Sequence, residues 1–468
     1  MNPEPPRPLS IRQKLVYGLG DWGTSAATTV RNVFWFFFLT SVVGMNAGLA
    51  GSIFLIGRLW DAVNDPLIGT LSDRLNSRWG RRRPFLLFGA IPFGLTFVLL
   101  FIVPPWEAPW ARAAYYIVVF LLFDSLYTII NVPYSALMPE LTSDYDERSS
   151  LAGWRITFAI LASLVTGALF KYLAEELFAP QLGGGVAGIR SGYALSAALW
   201  GITLIIPNFI LVSTFREKER EPVSGKIQPL QTFREVFANR AFRLAAVVYL
   251  LTFTTVDIVL LVFIRFLVDY VRVEPGFDNV LLATVLGLAL ITMPITVALM
   301  RRLGKRRAYM VSMAFLAVVL AIMSQVPPGG QNQVLIAGIF AGLGYGAANT
   351  LPWALVADVI EADELKSGQR REGIYYGYLV FFRKLAAAVA TFSVGQVLDA
   401  TGFVSSVQGS AFVQQPPEAL MAMRFFIGVV PPIMLALAIV AVWRYPLDRE
   451  RYEEIRQLLV MRDATKDE

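Results

Sequence analysis

Residues 80–86 read Gly80-Arg81-Arg82-Arg83-Pro84-Phe85-Leu86, and residues 304–310 read Gly304-Lys305-Arg306-Arg307-Ala308-Tyr309-Met310. In each, a glycine and three basic residues give way to an apolar run, as where a chain re-enters a bilayer from the side that retains positive charge. Each motif follows an apolar run, 47–71 in the first case and 278–300 in the second. A second, weaker echo joins Pro133-Tyr134-Ser135-Ala136-Leu137 to Pro352-Trp353-Ala354-Leu355. Outward from these anchors the apolar runs fall at 17–43, 47–71, 84–104, 111–139, 150–175, 191–214, 243–270, 278–300, 308–326, 333–360, 373–400 and 420–444. A crossing takes about 20 apolar residues. The pattern predicts an all-α integral membrane fold of twelve transmembrane helices in two pseudo-symmetric six-helix bundles. The predicted divisions are an N-terminal bundle 1–214, a central linker 215–239, a C-terminal bundle 240–444 and a tail 445–468.

The loop after the second run carries Arg74, Arg78, Arg81, Arg82 and Arg83, and that after the eighth carries Arg301, Arg302, Lys305, Arg306 and Arg307. The first, third, ninth and eleventh loops carry almost no positive charge. The positive-inside rule therefore puts both termini, the basic loops and the linker in the cytoplasm. Basic loops after helices are common, so plain topology signalling is the alternative reading of this repeat. Met1 to Lys14 is polar and proline-rich with no cleavage pattern, so the first span is expected to serve as targeting signal.

Of 468 residues, 56% are hydrophobic and 16% charged, against roughly 45–50% and about 25% in soluble domains. The mean hydropathy of +0.55 points the same way. A soluble enzyme is disfavoured, and no sizeable extramembrane domain fits between the spans. The chain has no Cys and no His, which removes disulfides, thiolate nucleophiles and the usual metal ligand and proton shuttle. Ion chemistry must use Asp, Glu, Lys, Arg and neutral oxygens. The net charge of +6 is spread by membrane side, so it signals orientation and no nucleic-acid partner is expected.

Charges inside apolar runs are the best functional clues, because an Asp or Arg at a helix centre costs about 2.5–3.5 kcal/mol on insertion scales. Arg58-Leu59-Trp60-Asp61-Ala62-Val63-Asn64-Asp65-Pro66 puts Arg58, Asp61 and Asp65 at i, i+3 and i+7 on one helix face, flanked by Asn64. Two carboxylates and an amide oxygen form a hard-oxygen cage for a small cation, with Thr128 able to lend another oxygen. The alternative is a packing salt bridge in which Arg58 and Lys384 neutralise the acids. In the fourth run Asp124, Thr128, Asn131 and Ser135 share a face bordered by Tyr127. Hydrogen-bonding groups beside an aromatic ring suit a polar solute such as a sugar, although Thr, Ser and Asn also bond neighbouring helices.

Arg31 and Asp257 lie midway along the first and seventh runs. They are read either as an ion pair between halves or as a place where Arg31 holds an anionic solute group. Asp21 is explained as a favourable charge at a helix start, and Arg383 receives no role. Asp73 and Arg82 are read as parts of an intracellular latch.

At these residues the chain resembles the glycoside-pentoside-hexuronide:cation symporters, the major facilitator branch that contains the melibiose permeases. The likeness spans nearly the whole chain, with its strongest stretches at Lys14 to Gly20, Arg58 to Pro66 with Ile68-Gly69, Ser77 to Gly80 and Tyr127 to Pro133. It implies the two-bundle major facilitator fold, an integral protein of the bacterial cytoplasmic membrane, and alternating access through a central cavity. It implies that Asp61, Asn64, Asp65 and Thr128 hold Na+, Li+ or H+ as coupling ion, with no other cofactor or metal. Lys384 matches a family lysine near that site, and Tyr127 and Arg155 match sugar-cavity positions. Ser25, Asn131 and Ser135 stand where melibiose permeases carry Asp, Asp and Trp, which departs from a galactoside pattern.

The function expected is cation-coupled symport of a sugar, glycoside or hexuronide, with the lipid bilayer and a small-molecule solute as partners and no obligatory protein partner. The alternatives are a cation-coupled lysolipid or amphiphile carrier and, from another class, a membrane sensor or scaffold that moves nothing. An enzyme is disfavoured because no nucleophile is paired with the buried acids.

Overall fold

The computed structural model describes residues 9–464 except 76, 78, 81, 143–144, 216–233, 235, 368–371, 406–413 and 448. Most of the linker 215–239, and Arg78 and Arg81 of the first basic loop, therefore lie outside the described residues, as does the side chain of Asp73. The regular structure of the described residues is entirely helical.

The first span is built in pieces: Ile11–Leu19 (α1), Trp22–Thr29 (α2), a π-helical stretch Val30–Trp35, and Phe36–Ser41 (α3). A capping box starts it, in which the Gln13 N–H donates to Ser10 Oγ and the Ser10 N–H donates to Gln13 Oε1. Next come α4 (Ala47–Arg74), α5 (Arg83–Leu99), α6 (Pro109–Leu141) and α7 (Tyr145–Tyr172). A second π-helical stretch, Leu173–Phe178, leads through the short α8 (Ala179–Gln181) to α9 (Gly185–Thr214). The second half holds α10 (Arg240–Arg265) with its own π-helical end at Phe266–Val271, α11 (Phe277–Leu303), α12 (Lys305–Met323) and α13 (Gln331–Ser367). It ends with α14 (Glu372–Ala400), α15 (Pro417–Gly428), α16 (Val430–Trp443) and α17 (Arg449–Ala464).

Among the described residues nine helical stretches are long and apolar enough to cross a bilayer, and Arg83–Leu99 is a shorter apolar helix. The first span is broken at Gly20-Asp21, and α4 carries Arg58, Asp61, Asn64 and Asp65 within two turns. These two fall short because the polar residues that lower their hydropathy are the candidate site itself. Exposed apolar rows such as Ile91 and Leu95 on α5, or Ile202 and Ile206 on α9, suit contact with lipid chains.

Contacts divide the chain into two units. Unit 1 joins residues 1–224 to 395–416, and unit 2 joins 225–394 to 417–468. The final turns of α14 thus pack in unit 1 at the start of α4. There Gln396 Nε2 donates to Gly48 O at 3.1 Å, Ser405 Oγ donates to Met45 O at 2.6 Å, and Asn46 is hydrogen-bonded to Asp399.

Unit 1 is tied by rings. Trp35 packs on Phe54 and Phe120 at centroid distances of 5.0 and 4.4 Å, and Phe101 packs on Phe38 and Phe170 at 4.8 and 5.0 Å. Such pairs contribute about 0.5–1.5 kcal/mol each beyond burial. At Gly57 on α4 a Cβ would lie 2.0 Å from the Phe120 ring of α6, so a larger residue there would have to displace that ring, two turns before Asp65.

Candidate functional site

On α4, Arg58 and Asp61 form an ion pair one turn apart, Nη1 to Oδ2 at 3.3 Å. Arg58 Nη2 also donates to Asn32 Oδ1 in the first span at 3.4 Å. Asp61 and Asn64 are buried, at 1% and 3% exposure, and Asp65 is half-buried. The approach of α6 brings Thr128 Oγ1 to Asp65, where it donates to Oδ1 at 2.9 Å. The Asn64 amide nitrogen is buried without a hydrogen-bond partner among the described residues. Two carboxylates, an amide and a hydroxyl thus share one side of α4 and its neighbour.

One turn before Thr128, Asp124 meets Arg31. Arg31 Nη1 lies 2.5 Å from Asp124 Oδ1, and the two residues are 5% and 0% exposed. Arg31 sits in the π-helical stretch Val30–Trp35. The wider turn of a π-helix re-aims the side chains that follow it, and such stretches recur at functional sites. The Arg31 guanidinium also stands 5.4 Å from the Tyr127 ring centre, and Tyr127 OH accepts from Thr28 Oγ1 at 3.3 Å. Arg31, which the sequence offered either to Asp257 or to an anionic solute, is therefore paired inside unit 1.

Arg155 on α7 donates from Nε to Asp21 Oδ2 at 3.2 Å and lies over the Tyr134 ring at 5.0 Å. Thr24 Oγ1 donates to Asp21 Oδ1 at 2.9 Å, and Tyr134 OH donates to Tyr17 O at 2.7 Å. Asp21, read from the sequence as a helix-start charge, is the counterion of Arg155. It occupies the N-cap position of α2 but makes no side-chain cap bond. The charge was visible in the sequence, but its partner lies 134 residues away. Ser25 and Asn131 are half-buried on α2 and α6, and Arg82 is buried at the start of α5. The neighbouring Arg83 donates from Nη2 to the Val212 carbonyl in the last turn of α9 at 2.8 Å.

Lys384 and Asp257 belong to unit 2. Lys384 is half-buried on α14. Arg383 stands beside Asp257, Nη2 to Oδ1 at 3.9 Å, with its guanidinium 4.0 Å from the Phe253 ring centre. Tyr249 and Phe253 on α10, Trp353 on α13 and Tyr376 on α14 make a connected aromatic group, with Trp353 5.7 Å from Tyr376 and 4.9 Å from Tyr249. Sequence reasoning passed over Arg383 and Trp353. The only signal for Trp353 was its place in the echo of the Pro133 motif.

Each unit thus buries polar groups and exposes apolar rows, as suits helices set in lipid. The chain belongs to the MFS/sugar transport protein family, whose model matches residues 16–449, and within it to the glycoside-pentoside-hexuronide type. It is 31% identical to an uncharacterized symporter of Synechocystis over 97% of each chain. It is 28% identical to the glucuronide carrier protein homolog of Escherichia coli, covering 96% of this chain and 95% of that one. The inward-open xylose transporter XylE of Escherichia coli matches with a TM-score of 0.64 at 13% identity, over 95% of this chain and 98% of the other. At that identity the likeness is one of fold. The protein is thus an integral bacterial inner-membrane secondary transporter of sugar-like solutes, and not an enzyme.

Proposed function

We propose that the protein is a symporter that couples entry of Na+, Li+ or H+ to a sugar, glycoside or hexuronide. In this reading twelve helices cross the membrane in two six-helix bundles, with both termini in the cytoplasm. Asp61 and Asp65 supply the charge of the cation site, with Asn64 and Thr128 as neutral ligands. The single observation that carries this is the Thr128–Asp65 hydrogen bond, which adds a hydroxyl from α6 to the two carboxylates and one amide that α4 presents. Arg58, paired with Asp61, offsets one of the two carboxylate charges, and the single negative charge that remains suits a monovalent ion.

Cation binding between the acids lowers their mutual repulsion and holds α4 against α6. Because α6 also carries Asp124, Tyr127 and Asn131, the state of the cation site reaches the solute stripe along one rigid helix. Coupling then follows from differential binding. Each positive charge moving inward gains about 2.3 kcal/mol per 100 mV, enough to concentrate a neutral solute tens of fold. Arg31 and Arg155 bring their own carboxylates, so unit 1 offers a solute hydrogen bonds and aromatic surface more than net charge. That favours a neutral glycoside over a hexuronide.

The test is thermal unfolding of the purified protein with sodium, lithium or potassium at two pH values, with and without a panel of neutral sugars and uronides. A sodium or lithium stabilisation that grows with one solute, and vanishes in both Asp61→Asn and Asp65→Asn, is the expected result. An unchanged ion response in both variants removes the cage. pH-dependent solute binding without a metal-ion response makes the coupling ion a proton.

A further inference from the structure

On the side of unit 2 that carries the second basic loop, a cavity of about 930 Å³ opens between the end of α11, the start of α12, Ala354 and Asp358 of α13, the end of α16, and α17. The chain turns from α11 into α12 at Gly304, whose φ of 77° lies in the left-handed region that favours glycine. That turn spreads Arg301, Arg302, Arg306 and Arg307 around one wall. Lys305 also lines the cavity, but it is ion-paired with Asp358 and donates to Ala354 O at 3.3 Å. Arg306 donates to the Trp443 carbonyl, and its Nε is buried without a hydrogen-bond partner among the described residues. With Lys305 and Asp358 set against each other, the wall holds four arginines and two further acids, Glu450 and Glu453 of α17. The balance is positive.

Apolar side chains, among them Val297, Met300, Leu303 and Trp443, also line the cavity. Leu303 and Trp443 are 41% and 63% exposed. A tryptophan at the end of a hydrophobic helix, level with a group of arginines, marks the headgroup zone of a bilayer. A soluble phosphate would need the arginines alone, and a site for it gains nothing from an apolar wall open toward the lipid. An ionised headgroup joined to acyl chains uses both walls at once. Basic pockets between transmembrane helices on the cytoplasmic side are suited to such headgroups, and the anionic leaflet faces the side where the positive charge lies.

We propose that this cavity is a binding site for an anionic diacyl phospholipid of the inner leaflet. Its phosphate is held among Arg302, Arg306 and Arg307, and its chains run along Val297, Met300 and Leu303. The proposal rests on the cytoplasmic placement of the basic loops given above, but not on the cation site or on the solute. The bound lipid bridges the α11–α12 turn and the end of α16, and it competes with Glu450 and Glu453 for the arginines.

The full-length protein is placed in nanodiscs of phosphatidylcholine alone or with 30 mol% phosphatidylglycerol, and its thermal unfolding is followed. Phosphatidylglycerol is expected to raise the melting temperature of the wild type by several degrees. Arg302→Gln with Arg307→Gln should remove most of that rise, while Arg451→Gln, an exposed residue of α17 outside the cavity wall, keeps it. No rise in the wild type, or an equal rise in the double variant, overturns the proposal. A rise reproduced in phosphatidylcholine discs by inorganic phosphate or glycerol phosphate makes the site one for a soluble anion and overturns it as well. Should the double variant fold poorly, native mass spectrometry of the wild type with the two lipids competing decides the matter. Preferential retention of phosphatidylglycerol supports the site, and equal retention overturns it. The sodium response measured in the same discs reports on the cation cage separately, so failure of one reading is not failure of the other.

Discussion

The interiors of the two units handle polarity differently. Unit 1 spaces carboxylates and arginines along its helices and joins them across helices, as Arg31–Asp124, Arg155–Asp21 and Thr128–Asp65, while Arg58–Asp61 and Lys171–Glu175 are paired within one. Unit 2 keeps its buried Arg265–Asp269 pair within one helical stretch and gathers rings around a different arginine, with Tyr249, Phe253 and Trp353 in mutual contact and Arg383 over Phe253. A buried ion pair holds its geometry because losing either partner leaves a charge in a poor solvent. An aromatic surface is tolerant, because a ring face accepts many apolar and C–H surfaces without one fixed alignment. The two units thus divide polarity between fixed pairs across helices in unit 1 and an arginine set among rings in unit 2.

The largest test of that division is Arg31→Gln. It leaves the fully buried Asp124 without the guanidinium at 2.5 Å, and breaking such a pair costs roughly 3–5 kcal/mol of stability. Combining it with Asp124→Asn should restore more than half of the loss, as read by thermal unfolding. If the single variant is as stable as the wild type but loses anionic solutes, Arg31 serves the solute and the contrast between units fails.

A smaller effect is expected in unit 2. Trp353→Ala should weaken solute affinity about tenfold, or roughly 1.4 kcal/mol, while leaving the sodium-dependent stabilisation in place. Calorimetric titration of solute and ion on the same variant separates the two. Equal loss of both would mean that the aromatic group also supports the cation site. Smallest is Thr128→Val, which keeps the shape and removes one hydroxyl from Asp65. One hydrogen bond contributes about 1 kcal/mol, so cation affinity should fall about fivefold with solute selectivity unaltered.

Much of unit 1 was legible along single helices. Arg58, Asp61 and Asp65 share a face because 3.6 residues per turn fix that relation wherever a helix forms. The same arithmetic aligned Asp124 with Thr128. What a helical repeat leaves open is the azimuth of each helix toward its neighbours. The partner of Asp124 lies 93 residues away, in a stretch whose π-helical turn departs from the 3.6 period. The pairing of Asp21 with Arg155 and the nearness of Arg383 to Asp257 were hidden for the same reason. In the Arg383-Lys384 pair the sequence drew attention to Lys384, because the family resemblance fell on it. The direction in which Arg383 points was set by Phe253 and Asp257 on another helix.

Composition, the period of the apolar runs and the sidedness of the basic loops by themselves determined a helical membrane protein. The lack of Cys and His leaves oxygen atoms as the ligands for any cation, and the membrane character was legible because solvation in lipid acts on every residue one at a time. Which buried charges meet, that the cavity beside α12 joins arginines to an apolar wall, and that Trp353 stands in an aromatic group were decided only by tertiary structure. Those relations depend on how helices rotate and approach, as at Gly57 against Phe120. No single stretch of sequence encodes the distance between two helices that are built from residues far apart in the chain.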